Sequence, residues 1–444
     1  MNKRILILIV LAVSTIGLFG QNILNSPYSR LGFGDIEDDT YMHLRNMGSL
    51  GSSWTDAYQA NYANPASLTY LRSTSFNVGI EASNVSLDDG EQTSNQWGGK
   101  FDYLALAFPL HNTINDLYED RKRDLRFAMG LDLSKRYSVG YNITAVDSTE
   151  GLGSFSRNYE GNGGNYEFSW SNAVQYKDFS FGLKLGYLFG SSNYIRRVTF
   201  DDKDFPFNDN FEDTYFVRAF TWNAGVMYSK LLGDPENKSI DKIGKITIGI
   251  RANSGSRFTS IADQIAIGEQ RVGNGVILRD TIYNRVDNRG RGFLPGTYGI
   301  GANYSIGRKF GIGLEYKTRP WSQYYHELKG DVKNQLRDDL FVSLGGFFRP
   351  DYKSYNNYFK RMSYRFGAYY IKDPRVVNGE GVEQYGVRFG LDLPFVYQRK
   401  GSNANLGVDL GRKGEGTIIE EKYIRINFGF TFNDEEWFLK RKYN

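Results

Sequence analysis

At 444 residues with 32 Tyr, 31 Phe and 50 Gly, the chain is long enough for two or three soluble domains or for one large barrel. A mean hydropathy of -0.48 excludes a bundle of membrane-crossing helices, and a net charge of +4 argues against a nucleic-acid partner. The absence of cysteine removes disulfides, thiol catalysis, Cys-ligated metal and a lipid-modified N-terminal Cys together.

Lys3 and Arg4 precede the apolar run Ile5 to Phe19, which reads as a secretory signal peptide over residues 1–20, cleaved after Gly20. The run falls short of the roughly 20 residues a spanning helix needs. Residues 21–72 form a non-barrel segment, with Ser26-Pro27-Tyr28-Ser29-Arg30, Gly32-Phe33-Gly34-Asp35 and Asn64-Pro65-Ala66-Ser67-Leu68 breaking any long element. Too small for much of a core of its own, this segment is expected inside the mouth of the barrel that follows.

From Thr74 onward the pattern has period two, the signature of strands. It is clearest between Asn165 and Phe189, where Tyr166, Phe168 and Trp170, then Phe181, Leu183 and Leu185, alternate with small or polar residues on either side of a turn at Lys177-Asp178. Similar strands are predicted near Thr74 to Ser86 and Asp102 to Leu110. A long one near Leu125 to Ile143 has its odd positions apolar, Tyr137, Val139 and Tyr141 included, with Lys135 the exception. Further strands centre on Phe220, Ile248, Ile300, Ile312, Val342, Phe366, Phe389, Leu406 and Phe428. The reading is all-β: a transmembrane antiparallel β-barrel of about fourteen strands over residues 73–434, with a periplasmic tail at 435–444. An even count puts both termini on one side. The stretch Asp263 to Arg291 is expected as an external loop with some strand of its own at Val276 to Tyr283, and Asp201 to Glu212 as another external connection. A spanning strand at Val276 would break the parity.

On the inward face lie many glycines, among them Gly182, Gly249, Gly345, Gly367, Gly390 and Gly407. Charged residues sit between them: Arg126, Asp132, Lys184, Arg251, Glu315, Lys317, Arg365, Arg388, Asp392, Asp409 and Arg425. Charges of both signs in a narrow interior are expected to pair with one another and with the N-terminal segment. Enzyme chemistry finds no footing: His43, His111 and His326 lack metal-ligand spacing, and no Ser/His/Asp grouping stands out. No catalytic residue, metal or cofactor is expected. Asp201, Asp202, Asp204, Asp209 and Asp213 could supply oxygen ligands for divalent cations near lipopolysaccharide, but a solvated loop is the preferred reading. The Lys440-Arg441-Lys442 tail is either a contact for a periplasmic partner or a solvated end.

At Arg45-Asn46-Met47-Gly48, at Asn64-Pro65-Ala66-Ser67-Leu68 and over the Gly161-to-Phe189 hairpin, the sequence resembles the FadL/TodX superfamily of outer-membrane hydrocarbon transporters. The Ser26-to-Arg30 opening, Leu294-Pro295, Trp321-Ser322 and the stretch Tyr423 to Tyr443 fit its divergent Bacteroidetes-type branch. The resemblance implies an integral bacterial outer-membrane barrel whose N-terminal hatch enters the lumen from the periplasmic side, with Asn64, Pro65 and Ala66 joining hatch to wall. It implies a FadL-like channel for passive uptake of small hydrophobic molecules, which enter through external loops and leave laterally at a kinked strand. Similar barrels also serve as non-transporting accessory or plug subunits of the type IX protein-secretion translocon. The expected partners are outer-membrane lipid and lipopolysaccharide, with either a hydrophobic small molecule or a larger outer-membrane translocon protein. The charges of Asp263 to Arg291 depart from the greasy external loops of the transporters.

Overall fold

The computed structural model describes residues 26–110, 124–149, 153–200, 207–233, 242–272, 276–330, 336–397 and 400–434. The signal peptide, His111, Asp201, Asp202, Asp204 and the Lys440-Arg441-Lys442 tail lie outside the described residues. Among the described residues the two-residue periodicity yields eighteen strands in one sheet. They are β1 (Asp35–Ile36), β2 (Thr74–Asp88), β3 (Thr93–Pro109), β4 (Leu125–Thr149), β5 (Gly153–Tyr176), β6 (Phe179–Phe200), β7 (Phe207–Leu232), β8 (Gly244–Asn253) and β9 (Ser256–Val272). Then come β10 (Val276–Leu294), β11 (Thr297–Ile306), β12 (Phe310–Arg319), β13 (Tyr325–His326), β14 (Asp339–Phe348), β15 (Ser363–Val377), β16 (Glu380–Tyr397), β17 (Lys400–Lys413) and β18 (Glu420–Asp434).

Fourteen of these close an antiparallel ring: β2 to β8, β11, β12, and β14 to β18. The last strand returns to the first, from Glu420 opposite Asp88 to Asp434 opposite Thr74. The chain therefore enters and leaves the wall at one end, the proximal end, which also carries the tight turns at Lys177-Asp178 and Gly307 to Lys309. Closure satisfies the ladder of backbone groups that hydrocarbon would otherwise strand. The wall is inverted relative to a soluble protein. Along β6 the outward Phe181, Leu183 and Leu185 are 48%, 47% and 52% exposed, whereas the inward Ser180 and Lys184 are 0% and 5% exposed. Apolar area out and polar groups in is the arrangement lipid imposes.

Three expectations change. Asp263 to Arg291 is mostly a hairpin, β9 with β10, rather than a loop. β9 pairs with the distal half of β7, from Phe207 opposite Gln270 to Ala219 opposite Phe258. Nearer the proximal end, β8 pairs directly with β11 and fills the ring. The hairpin thus adds two strands beyond the ring, so the parity survives, and its Arg279 and Glu269 meet across it at 2.9 Å. Second, Phe207 to Glu212 belongs to β7 and not to a connection. Third, a register shift between Lys135 and Tyr137 interrupts the β4–β5 ladder. One extra residue reverses the faces of everything beyond it. Tyr137, Val139 and Tyr141, expected toward lipid, point inward, and Val139 is 0% exposed. β5, β6 and β7 contain 24, 22 and 26 residues, against about 9–11 needed to cross a bilayer, so their distal halves project well beyond it.

Because Gln264 pairs with Arg285, replacing Ile265–Asn284 with Asn-Gly should give a short turn and leave the ring closed. The variant should keep heat-modifiable gel migration. Loss of that migration would show that the wall needs the hairpin.

Candidate functional site

The interior is occupied by the N-terminal segment, the hatch. Its first described turn, Pro27–Arg30, sits at the distal end, where the Tyr28 hydroxyl meets Thr417 and the Ile419 carbonyl and the Ser26 N–H donates to the Gly140 carbonyl at 2.8 Å. The resemblance implied entry from the proximal side. Instead the described hatch threads the lumen from the distal end and joins the wall proximally, after Leu71. Asn64 caps a short helix, Pro65–Tyr70, by accepting from the Ala66 N–H at 3.1 Å. Asn64, Pro65 and Ala66 rest against β6 and β7 through Gly182 and Gly225, and β2 begins only at Thr74.

The hatch carries an acidic run, Asp35, Glu37, Asp38 and Asp39, whose members reach different wall strands. Asp35 accepts from Arg375 Nη1 at 2.6 Å and from Lys413 Nζ at 2.9 Å. Glu37 pairs with Lys100. Asp38 meets Arg388 Nη1 at 3.1 Å, and Arg388 also holds Asp409 at 3.0 Å. Asp39 pairs with Arg251 and, at 3.1 Å, with Lys317. In return Arg45 of the hatch binds Glu81 at 3.0 Å and Asp102 at 2.7 Å. Burial works to raise the Asp38 carboxyl, but Arg388, Lys317 and Arg45 outweigh it and hold the group below the usual carboxylate range. At Asp39, Arg251 and Lys317 likewise overcome burial. An uncompensated charge here would cost several kcal/mol, on the order of 3–5 when one partner is removed.

Arg251, Lys317 and Arg388 thus touch hatch acids directly. Glu315 receives the Ser52 N–H at 2.9 Å. Arg365 donates to the His43 carbonyl and holds Asp392 at 3.1 Å, and Asp392 also accepts from Gln59. Arg425 lies over the Tyr423 ring at 4.1 Å. Asp132 and Lys184 pair within the wall, with Ser169 and Glu167, whereas Arg126 is exposed at the proximal rim. Sequence reasoning passed over Glu37, Asp38 and Asp39. Their signal was four acids in five residues ahead of a wall rich in inward Arg and Lys.

Glycine lets the hatch backbone lie on the wall. A Cβ at Gly182 would overlap the backbone at Pro65-Ala66, at Gly249 the Ser52 carbonyl, at Gly345 the Met47 carbonyl and at Gly367 the Gly48 nitrogen. Asn46 similarly fills the space above Gly390 and Gly407. Around the acidic run the remaining cavity is about 90 Å³ and is lined by charged groups including Asp35, Glu37, Arg45, Lys100, Arg375 and Arg388. Small-molecule pockets begin near 300 Å³ and are mostly apolar. This one has room for a few waters.

One seam interrupts the wall. β3 and β4 pair only from Tyr103 opposite Ser134 to Pro109 opposite Ala128. Beyond the β4 bulge the free edge is taken by the hatch: Asp35 pairs with Ser138, Ile36 with Tyr137, and the Glu37 N–H donates to the Arg136 carbonyl at 3.0 Å. At the distal end the β12–β14 connection folds inward. Its Trp321, Tyr324 and His326 are buried, and Tyr324 and Phe33 of the hatch have ring centroids 6.1 Å apart. Lys329 Nζ lies 4.0 Å from the Tyr194 ring centroid and 3.4 Å from the Gly32 carbonyl. Burial drops this amine from 10.5 to about 7, against a weaker upward pull from Asp213.

The BamG family model matches residues 1–444. A Pseudomonas aeruginosa FadL homologue has a similar structure over 90% of this chain and 99% of its own, at 10% identity and a TM-score of 0.57. The P. putida toluene transporter TodX is similar over 90% and 99%, at 15% identity and 0.53. The Ralstonia pickettii toluene transporter TbuX is similar over 89% and 98%, at 12% identity and 0.53. A comparison with curated protein sequences finds no match. These likenesses show the fold, a FadL-type barrel with a segment inside it, and short turns mark the periplasmic edge of such barrels, as they mark the proximal end here.

Gly345→Val should unseat the hatch from β14, at a cost of about 1–3 kcal/mol typical of overpacking, while the ring still forms. Limited proteolysis should then cut the hatch in a barrel that remains heat-modifiable; unchanged resistance would contradict the seating. Lys329 is held neutral more readily folded than unfolded, so its contribution to stability is lowest below about pH 7 and rises with pH toward 10.5. The heat-modification midpoint should climb between pH 7 and 9. That slope should flatten in Lys329→Met, and an identical slope would rule Lys329 out.

Proposed function

The chain belongs to the BamG family, and on that premise we propose that it is a hatch-sealed accessory subunit of an outer-membrane protein-secretion translocon, its barrel a scaffold rather than a conduit. One observation carries this reading: every acid of the hatch run is neutralised by a buried wall cation, and the cavity left beside them is about 90 Å³ and charged. A hydrophobic solute moving past would have to strip those pairs. The distal projection adds support. Ile277, Leu278, Ile282 and Val286 of the outer hairpin are 45% to 65% exposed, beyond the reach of lipid, and apolar groups clustered in such a place suit a protein partner.

The second reading is passive uptake of small hydrophobic molecules with the hatch as gate. It is favoured by the β3–β4 seam, where moving β1 aside would open the wall laterally.

Under the accessory reading, the full chain extracted in mild detergent from its own membrane should copurify stoichiometrically with a larger outer-membrane protein. In proteoliposomes it should not accelerate entry of a fluorescent fatty acid. A solitary barrel that speeds entry, with the gain abolished by locking β1 to β4, would establish the uptake channel instead.

A further inference from the structure

We propose that the periplasmic rim between β12 and β15 is a binding site for an anionic phospholipid of the periplasmic leaflet. Proximal turns of such barrels are short, as Lys177-Asp178 and Gly307 to Lys309 are here. The Arg349–Met362 connection is longer and held in a defined shape. The Arg349 N–H donates to the Lys309 carbonyl at 2.7 Å, the Asp351 N–H to the Lys360 carbonyl at 2.8 Å, and Asn357 caps a single helical turn, Tyr358–Arg361.

This turn presents two kinds of group together. Arg308, Lys309, Lys360 and Arg361 have no carboxylate within ion-pair distance among the described residues, and the Arg361 Nε is buried without a hydrogen-bond partner. The Arg308 guanidinium rests between the rings of Tyr58 and Tyr352, at 5.7 and 5.2 Å. The nearby Asp351 carboxylate accepts the Lys353 N–H at 3.0 Å. Beside these cations Phe359 is 69% exposed. Its carbonyl accepts from the Tyr364 hydroxyl at 3.1 Å, and Tyr364 belongs to the lipid-facing side of β15, next to the outward Phe348.

An exposed ring level with the lipid-facing wall, flanked by cations, is the pattern of an interfacial anchor. The ring enters the acyl boundary and the cations meet phosphate. A zwitterionic headgroup brings its own ammonium and leaves the four cations uncompensated. A headgroup with net negative charge compensates them, which selects the anionic class.

The test uses the full chain folded in phosphatidylethanolamine vesicles containing phosphatidylglycerol, then released for native mass spectrometry. The wild type should retain phosphatidylglycerol in preference to phosphatidylethanolamine. In Lys360→Gln/Arg361→Gln that retention should fall roughly thirtyfold, as expected for two interfacial cations, with heat-modifiable migration unchanged because no residue of the turn is buried as a whole. Since the chain lacks cysteine, a dye on Phe359→Cys should also shift to the blue when phosphatidylglycerol is added. Equal retention by wild type and double variant, or equal retention of the two lipids by the wild type, would overturn the proposal. So would a wild type that retains no lipid yet binds a polyglutamate peptide, which would assign the rim to an acidic protein segment.

Discussion

The structure depends on neutralising a run of acids in a place where water is scarce. Asp35, Glu37, Asp38 and Asp39 lie within five residues of one another and would repel if left together in a low-dielectric lumen. The fold separates their obligations: β15 and β17 take Asp35, β3 takes Glu37, β16 takes Asp38, and β8 with β12 takes Asp39. Each pair ties the central thread to a different part of the ring. Buried ion pairs are weak evidence for net stability, yet strongly penalise any arrangement that leaves one partner alone. They therefore act here chiefly by fixing where the hatch sits and how it is turned.

That placement requires the hatch backbone to come close to the wall, which is the task of the inward glycines. At Gly249, Gly345 and Gly367 the wall offers no side chain, so hatch carbonyls and nitrogens approach where a Cβ would stand. Gly48 and Ser49, both with positive φ, reverse the hatch directly over β14 and β15. Charge and contour thus work together. The acids choose the angular position, and the glycines allow the depth at which those ion pairs become short.

The same economy explains the seam. A bulge after Lys135 turns β4 away from β3, which in hydrocarbon would leave unpaired backbone. The hatch supplies β1 to part of that edge, and the reversed faces bring Tyr137 and Val139 against hatch residues instead of lipid. Wall, thread and distal cap thereby form one packed interior. The outer surface differs at the two ends. The distal end exposes aliphatic side chains of the β9–β10 hairpin, and the proximal rim exposes aromatic rings beside Arg308, Lys309, Lys360 and Arg361.

How much of this is legible in the sequence follows from the range of each interaction. Strand number, the inside-outside sense of most strands and the membrane setting are local: they rest on alternation along Phe179 to Phe189 and its repeats, and on the covalent period of an extended chain. The glycine-rich inward face and its interspersed charges could be read in the same way, because parity assigns them. The reversal in β4 could not, since a bulge is one residue in a pattern that otherwise continues, and only the partner strand shows the slip. Nor could the hairpin at β9–β10, whose charged cross-strand pairs look like a loop when read singly. The pairing of Asp38 with Arg388 joins residues 350 positions apart, and composition indicates that cations and acids must meet without saying which. Sequence alone determined that this chain makes a lipid-facing barrel with a segment to place inside it. Tertiary structure decided the path of that segment and the acid each wall cation holds, because those choices depend on closure of the ring, which brings distant strands to the same depth.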